Sequence, residues 1–310
     1  MVDMPFPSGR QFVIRDGKYV ATVTEVGGGL RELSYAGVDL VDGFAADRLV
    51  DGSRGQVLAP WPNRLRDGSW RCDGRELQLP IDEPLKGNSA SHGVVRWAPW
   101  TLETEEQRRV AMNYRLYPQP GYPFALAFGI TYALSARDGL TVVLSAANLG
   151  LAPAPVALGM HPYLKPPHGG LIDTCTLLLP ARTRVLTDAW GSPVGTEEVT
   201  GTPFDFRQPR RIGDLHINSA FTDVDANHHG RATVVLANER GEVELWSDSS
   251  CKWIQIFTGD GLAPDVCRHG IAVEPMTAPA NALASGDGLR VLEHGESLSL
   301  RWGIRASLLP

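Results

Sequence analysis

The sequence lacks the features on which several large protein classes depend. Its four cysteines are widely spaced, with no C-x-x-C pair and no Cys/His cluster at zinc spacing, and they stand at Cys72, Cys175, Cys251 and Cys267. We therefore expect reduced thiols, a cytoplasmic location and no metal site. Phosphate loops, dinucleotide loops and nucleophile elbows are absent, since the chain has no G-x-x-x-x-G-K-S/T, G-x-G-x-x-G or G-x-S-x-G.

Basic charge and long apolar runs are also scarce. The formal net charge of −6 argues against nucleic acid or an anionic membrane as a partner, because either would need a basic face. Residues 1–7 have neither the basic nor the apolar region of a signal peptide. The apolar-looking stretch 124–134 is about half as long as a membrane helix. The sequence thus predicts a soluble protein, and it leaves the oligomeric state open.

Period-two alternation dominates what is present. Large side chains occupy every second position from Phe124 to Leu134, and the same pattern recurs at 77–81, 110–116 and 298–304. With 33 glycines and 23 prolines there is little room for long helices, and only short segments, such as 279–284, suit a helical turn. We predict an all-β fold, a large antiparallel β-sandwich with more than half of its residues in strands, formed as a single domain by residues 1–310.

Two polar residues close apolar runs and precede proline. Glu274 follows Ile-Ala-Val, and His161 ends Val-Ala-Leu-Gly-Met. A buried carboxylate needs partners or a shifted pKa, and the following proline holds it in an extended conformation. Histidine is suited to proton donation near neutral pH. The alternatives are a structural ion pair between Glu274 and an arginine, and a core His161 with satisfied hydrogen bonds.

Two loops offer further candidates. His92 lies in Asn-Ser-Ala-Ser-His-Gly, a loop of small polar residues of the kind that carries functional groups. Asn63 and Arg64 follow a proline-stiffened segment and present several donors that suit sugar hydroxyls. A solvated histidine and a surface arginine are the alternatives here.

Strand and tryptophan positions complete the candidates. Gln255 alternates with two isoleucines and therefore points either to solvent or into a cleft. Tryptophan stacks on the apolar face of a sugar ring, and the candidates are Trp61, Trp97, Trp100, Trp246 and Trp253. We select Trp246 as a substrate-binding residue, although most tryptophans in such a chain belong to the core.

Taken together, these segments resemble the aldose 1-epimerase (galactose mutarotase) family. The matching segments follow one another over nearly the whole chain, and they are PNRLRDG at 62–68, SHG at 91–93, NLG at 148–150, LGMHPY at 158–163, QIFTG at 255–259, AVEP at 272–275 and HGESL at 294–298. The resemblance implies a large antiparallel β-sandwich, in agreement with the alternation.

The resemblance also implies an isomerase that interconverts the anomers of a free aldose without a cofactor. Glu274 would be the general base on the anomeric hydroxyl and His161 the general acid on the ring oxygen. His92 would assist at the ring oxygen, while Asn63, Arg64 and Gln255 would hold hydroxyl groups. Opening a cyclic hemiacetal removes a proton from O1 and delivers one to O5, so a base and an acid are both needed.

One segment departs from the family pattern. Family members usually carry an aspartate three residues before an aromatic residue, whereas here Asn218 precedes Phe221. Asn218 accepts a hydrogen bond from a hydroxyl but brings no charge. Asp223 is a second candidate for the same role. The departure bears on which sugar is bound more than on the reaction.

Two other functions remain open at the level of sequence. A hexose-6-phosphate 1-epimerase would need a basic phosphate pocket, for which Arg64, Arg66 and Lys86 are the candidates. A non-catalytic carbohydrate-binding protein is the other, since β-sandwiches host both enzymes and binding modules. The presence of three acid–base residues favours the enzyme.

Overall fold

The computed structural model describes residues 6–309, so residues 1–5, on which part of the signal-peptide prediction rests, lie outside it. Strands hold 49% of the residues and helices 3%, which confirms the all-β class, although the strand share falls just short of the predicted majority. No helix in the described range is long and apolar enough to cross a membrane.

The described residues form short and medium strands joined by tight turns. In chain order the strands are β1 (Gln11–Asp16), β2 (Tyr19–Thr24), β3 (Leu30–Tyr35), β4 (Val38–Asp39), β5 (Val57–Leu58), β6 (Arg64–Leu65), β7 (Ser69–Cys72), β8 (Arg75–Gln78), β9 (Ala90–Ser91), β10 (Thr101–Glu106), β11 (Arg109–Leu116), β12 (Leu126–Ser135), β13 (Gly139–Asn148), β14 (Ala154–Val156), β15 (Gly159–Met160), β16 (Tyr163–Leu164), β17 (Thr176–Leu178), β18 (Ala181–Thr187), β19 (Pro193–Glu198), β20 (Arg210–Arg211), β21 (Asn218–Val224), β22 (Ala232–Asn238), β23 (Gly241–Ser247), β24 (Trp253–Phe257), β25 (Ile271–Met276), β26 (Arg290–Leu292) and β27 (Ser297–Leu308). One helical turn, α1 (Ala282–Ser285), overlaps the predicted one, and 3₁₀ turns lie at Arg66–Gly68 and Ile172–Thr174.

Two large sheets organise these strands. One has nine strands in the order β10, β11, β12, β13, β27, β23, β22, β17, β20. The other has the order β19, β18, β21, β24, β25, β15, β5, and its eighth strand, β16, also pairs with β25. A four-stranded sheet, β1 to β4, and three two-stranded ribbons (β6 with β9, β7 with β8, β14 with β26) complete the fold. Every named strand pair is antiparallel, as predicted.

Alternation explains where the core lies. Along β12, residues are buried and half-buried in turn, and the buried ones are Leu126, Phe128, Ile130, Tyr132 and Leu134. They join one apolar cluster that also takes side chains from β24 and β25 of the other sheet. Burying each such side chain contributes roughly 1.5–3 kcal/mol. This continuity supports our proposal that the chain forms one domain.

Prolines explain where strands fall short of the pattern. The predicted strand at 77–81 ends at Gln78, two residues before Pro80, and β12 begins at Leu126, after Pro123. Proline has no N–H to donate to a sheet ladder, which accounts for the missing pairing beside Pro80 and Pro123, although Pro275 is accommodated within β25. A tight turn joins the paired strands β12 and β13, and Gly139 at its end has a φ of 76° that suits glycine.

Candidate active site

Strand register gathers three polar side chains on one face of the eight-stranded sheet. Gln255 of β24 pairs with Glu274 of β25, and Ala220 of β21 pairs with Gln255. Alternate residues of β24 and β25 pack into the core, so Gln255 and Glu274 face the other way. Asn218, two residues before Ala220, shares this face. Side-chain period alone thus brings residues from distant segments together.

His161 reaches Glu274 through the two-residue connection between β15 and β16. Both of these strands pair with β25, and the imidazole Nε2 lies 3.3 Å from Glu274 Oε1. The two residues are 5% and 2% exposed. Within the described residues, Glu274 Oε2 and His161 Nδ1 have no hydrogen-bond partner. Burying polar atoms without hydrogen-bond partners is costly. Such unpaired atoms are typical of a site that a ligand completes.

Burial sets the proton affinity of this pair. Loss of solvation raises the pKa of Glu274 to about 8, although the nearby Arg64 charge opposes the rise. Loss of solvation also lowers the pKa of His161 to about 3. The contact of the ring with its own backbone opposes this lowering of the pKa, and the charges of Arg64, Arg96 and Arg54 add to it. At neutral pH the carboxyl group is therefore protonated and the imidazole is neutral, so the pair holds one titratable proton.

His92 and Asn63 are held together by two reciprocal hydrogen bonds. Both residues have a left-handed backbone, with φ values of 60° and 56°. The His92 N–H donates to Asn63 O at 2.9 Å, and the Asn63 N–H donates to His92 Nδ1 at 3.1 Å. Because Nδ1 accepts, the neutral ring carries its proton on Nε2. Burial holds the pKa of His92 well below its usual value. His92 is therefore a neutral donor, with its ring centroid 5.3 Å from that of His161.

The residue after His92 must be glycine. Gly93 has a φ of 74°, and the carbonyl group of Ala59 occupies the space in which a Cβ would lie. The Val94 N–H donates to Ala59 O at 2.9 Å, which ties the His92 loop to the segment leading to Asn63. This close backbone approach keeps the two loops together beside His161.

Arg64 is held by a carboxylate. Its Nε and Nη2 donate to Glu83 at 2.6 and 3.3 Å, and Lys86 Nζ lies 3.8 Å from the same carboxylate. The Arg64 N–H donates to Asn63 Oδ1 at 2.8 Å. The two-point pairing fixes the guanidinium plane and offsets much of its charge.

Gln255 and Asn218 form a second fixed pair. Gln255 Nε2 donates to Asn218 Oδ1 at 2.8 Å. Asn218 Oδ1 is therefore engaged, and the side chain presents its NH₂ group as a donor to a ligand. Gln255 keeps its own carbonyl oxygen as an acceptor. The position offers a donor where a carboxylate would offer only acceptors.

These side chains line one cavity of about 530 Å³, a volume typical of small-molecule sites. Seven of the predicted site residues are among its lining residues, namely Asn63, Arg64, His92, His161, Asn218, Gln255 and Glu274. The buried acid–base groups form its floor, and the exposed side chains of Leu85 and Trp190 form part of its rim.

Two predicted binding residues do not line the cavity. Asp223 accepts a hydrogen bond from Thr183 Oγ1 at 2.5 Å, and its φ of 53° breaks the alternation of β21. Trp246 is 2% exposed and lies in the nine-stranded sheet. The guanidinium carbons of Arg231 and Arg301 lie 4.0 and 5.6 Å from its ring centroid. Neither residue is placed to contact a ligand in this cavity.

The cavity also includes residues that the sequence reasoning missed. Tyr163, Trp190, His216 and Asp260 all line it. Tyr163 follows His161-Pro162 directly, and Trp190 lies in a turn whose N–H groups bond the Asp188 carboxylate, so local signals existed for both. His216 and Asp260 precede and follow strands that meet only in the folded sheet, and no local pattern marks them.

The fold is galactose mutarotase-like. A GalM/aldose epimerase homologue from C. elegans matches with a TM-score of 0.85 and 20% identity, covering 97% of this chain and 99% of that chain. A galactose mutarotase-like protein from Clostridium acetobutylicum matches with a TM-score of 0.84 and 20% identity, covering 96% and 95%. These structures define the class of fold that carries the site.

Sequence comparison identifies the family. The profile described as aldose 1-epimerase matches residues 10–305, and the chain therefore belongs to the aldose 1-epimerase family, which confirms the resemblance. The uncharacterized protein YihR of Escherichia coli is 34% identical over 297 residues, which are 96% of this chain and 93% of that protein. Human galactose mutarotase is 30% identical over 176 residues, 53% of this chain and 49% of the human protein.

The raised pKa of Glu274 should make the free energy of unfolding depend on pH. Between its ordinary value of 4.5 and its folded value of about 8, the folded protein binds more protons than the unfolded chain. The stability that Glu274 contributes below pH 4.5 is therefore lost as pH rises towards 8, by up to about 1.4 kcal/mol per unit. Glu274→Gln removes this titration. Relative to wild type, the variant should become progressively more stable between pH 5 and 8.

Urea unfolding of both proteins at four pH values measures the difference. The same change at Glu103, an exposed residue of the edge strand β10, controls for the loss of one carboxylate. A stability difference at Glu274 that does not vary with pH would contradict the raised pKa.

Proposed function

We propose that the protein is an aldose 1-epimerase that interconverts the α and β anomers of a free aldose. The observation that carries the proposal is the buried Glu274–His161 pair at the floor of a polar cavity, since it holds one proton near neutral pH. Ring opening needs one group that accepts a proton and one that donates a proton. A pair with a single proton supplies both.

In the proposed ring opening, the Glu274 carboxylate takes the proton of the O1 hydroxyl. The O–H electron pair forms the C1=O1 double bond, and the C1–O5 bond breaks with its electrons moving to O5. His161 donates its proton to O5. The step converts ionised Glu274 and protonated His161 into protonated Glu274 and neutral His161, so the total number of protons on the pair is unchanged.

Reclosure reverses these roles. The open-chain aldehyde rotates about the C1–C2 bond, His161 takes the O5 proton, and Glu274 returns a proton to O1 on the other face. Because the pKa of Glu274 is raised and that of His161 is lowered, the empty site favours the neutral form of both groups. That form is the one present when the aldehyde is bound. Two protons move and no electrons are exchanged, so the reaction calls for no cofactor.

The neighbouring groups suit this chemistry. His92 presents Nε2–H beside His161, so we propose that it donates to the ring oxygen as negative charge develops there. Asn63, Arg64, Gln255 and Asn218 are proposed to hold the hydroxyl groups, and their hydrogen bonds to one another keep them in place.

A phosphorylated hexose is a weaker candidate substrate. Arg64 and Lys86 share the Glu83 carboxylate, and Arg66 is paired with Asp188 at 2.8 Å. A phosphate would have to compete with these carboxylates for every cation that the sequence suggested. The four free thiols remain compatible with the proposed cytoplasmic location.

A non-catalytic sugar-binding protein is also less well supported. Burying an ionisable carboxyl against an imidazole costs stability and gives a binder nothing that neutral amides would not provide. The raised pKa of Glu274 and the lowered pKa of His161 are typical of acid–base groups in a catalytic cleft.

Activity should depend on both members of the pair. Glu274→Gln keeps the shape of the side chain but accepts no proton, and His161→Asn donates none to O5, so each should lower kcat by roughly 10²–10⁴-fold. The double variant should lose much less than the product of the two single losses, because either change alone removes the concerted path.

Polarimetry on freshly dissolved α-D-glucose and α-D-galactose measures these rates, and the 6-phosphates are run in parallel. Sugar binding by calorimetry should persist in both single variants. Full turnover in either variant with binding intact would show that the roles are wrongly assigned, and turnover of the 6-phosphates alone would favour the phosphorylated substrate.

Asn218 should influence the choice of sugar. Asn218→Asp replaces a donor with a carboxylate beside Gln255 and changes one hydroxyl contact by about 1–2 kcal/mol, or roughly tenfold in discrimination. The ratios of kcat/KM among glucose, galactose and xylose should therefore shift more than the best rate does. Asp223→Asn, outside the cavity, is the matched control. Identical ratios in Asn218→Asp and wild type would place Asn218 outside the substrate contacts.

A further inference from the structure

The imidazole of His161 lacks the usual means of orientation. A catalytic histidine is commonly held by a hydrogen bond from the nitrogen that does not react. His161 Nδ1 has no such partner within residues 6–309. The contact of Nε2 with Glu274, at 3.3 Å, is also longer than an ideal charge-assisted hydrogen bond. Some other contact must keep the ring from turning.

Tyr163 provides a flat surface for that ring. The two ring centroids lie 5.1 Å apart, and the planes are within 13° of parallel. The Tyr163 hydroxyl donates to the Gly52 carbonyl at 3.0 Å, which fixes the far end of the side chain. Tyr163 is 1% exposed, so packing leaves its ring little freedom. The His92 ring also packs against His161, with the two planes 72° apart.

A buried cation lies behind Tyr163. Arg54 is 2% exposed, and its guanidinium carbon is 4.9 Å from the Tyr163 ring centroid. Two carboxylates hold it: Nη2 lies 3.1 Å from Asp42, and Nη1 lies 2.7 Å from Asp51. Burying an arginine with its partners is expensive, and a well-packed apolar residue is often at least as stabilising. The arrangement therefore points to a role beyond stability.

The segment that carries Arg54 also binds the backbone of His161. The Gly55 N–H donates to His161 O at 2.8 Å, and the His161 N–H donates to Gln56 O at 3.1 Å. The same segment thus fixes the main chain of His161 and, through Arg54, the ring that packs against its imidazole. The Arg54 guanidinium thus lies over the Tyr163 ring, that ring stacks on the His161 imidazole, and the imidazole contacts Glu274.

We propose that Tyr163, backed by the buried Arg54, is the positioning residue that holds the His161 imidazole towards Glu274 and the sugar ring oxygen. The inference rests on the proposed function, because it assigns Tyr163 a role only through the proton donor. Aromatic packing here takes the place of the missing Nδ1 hydrogen bond. Removing the flat ring frees the imidazole to rotate away from its reacting geometry.

The test is kinetic and uses the full-length protein. Tyr163→Leu should lower kcat by roughly 10–100-fold with a KM change below about threefold, because a misplaced catalytic group costs rate more than binding. Tyr163→Phe keeps the ring and loses only the bond to Gly52. Tyr163→Phe should retain at least a third of the wild-type kcat, so most of the activity that Tyr163→Leu loses should be kept.

A double-variant cycle separates positioning from direct catalysis. In a His161→Asn background, Tyr163→Leu and Tyr163→Phe should cause no further loss of kcat, because the group that they position is gone. An equal loss with and without His161 would overturn the inference, as would a raised KM at unchanged kcat, which indicates a substrate contact. If Tyr163→Leu does not fold, Tyr163→Phe tests the inference instead. Its smaller loss of kcat should appear in the wild-type background and be absent in the His161→Asn background.

Tyr132→Leu is the matched structural control. Tyr132 is also a buried tyrosine, and its hydroxyl donates to the Gly28 carbonyl at 2.6 Å, but it lies in the nine-stranded sheet. It should lose stability in urea while the folded fraction keeps its kcat. Full activity of His161→Asn alone would refute the proposed proton donor. Loss of activity in His161→Asn with a normal kcat in Tyr163→Leu would refute only the positioning role.

Discussion

The desolvation of one proton-sharing pair is the constraint on which the rest of this site depends. Glu274 and His161 are almost fully buried, 3.3 Å apart, and burial disfavours the charged form of each. The raised pKa of the carboxyl group and the lowered pKa of the imidazole follow from that environment. Solvent around either group would return both to ordinary values and separate their roles. The loops that cover the pair therefore help to set the pKa of both groups.

The stability of the β-sandwich offsets the cost of burying these two groups. Apolar side chains on the inner faces of the two large sheets supply the stability, so the outer face of β24 and β25 is free to carry Gln255 and Glu274. Left-handed residues at Asn63 and His92 then fold two loops over that face. Rigid neighbours matter because a base and an acid that act on adjacent atoms must be held within a fraction of an ångström.

Local sequence pattern reached much of this arrangement and failed in identifiable places. Alternation predicted the β-sandwich. The position of Glu274 and His161 at the ends of apolar runs marked them as site candidates, and both line the cavity. Trp246 shows the limit: alternation says which face a residue takes, but not to which sheet its strand belongs. Asp223 fails because a positive φ within β21 turns its side chain to Thr183. Tyr163 lies only two residues after His161, but its role escaped notice because its packing against Arg54 forms between segments that meet only on folding.

The pH dependence of kcat/KM tests the account most directly. If the pair must hold one proton, kcat/KM should be constant from about pH 5 to 7. It should then fall about tenfold per unit above pH 8, where that proton leaves Glu274. Polarimetry with the uncatalysed rate subtracted provides the profile. A rate that instead rises through pH 8 would show that ionised Glu274 acts without a protonated partner, and it would contradict the shared proton.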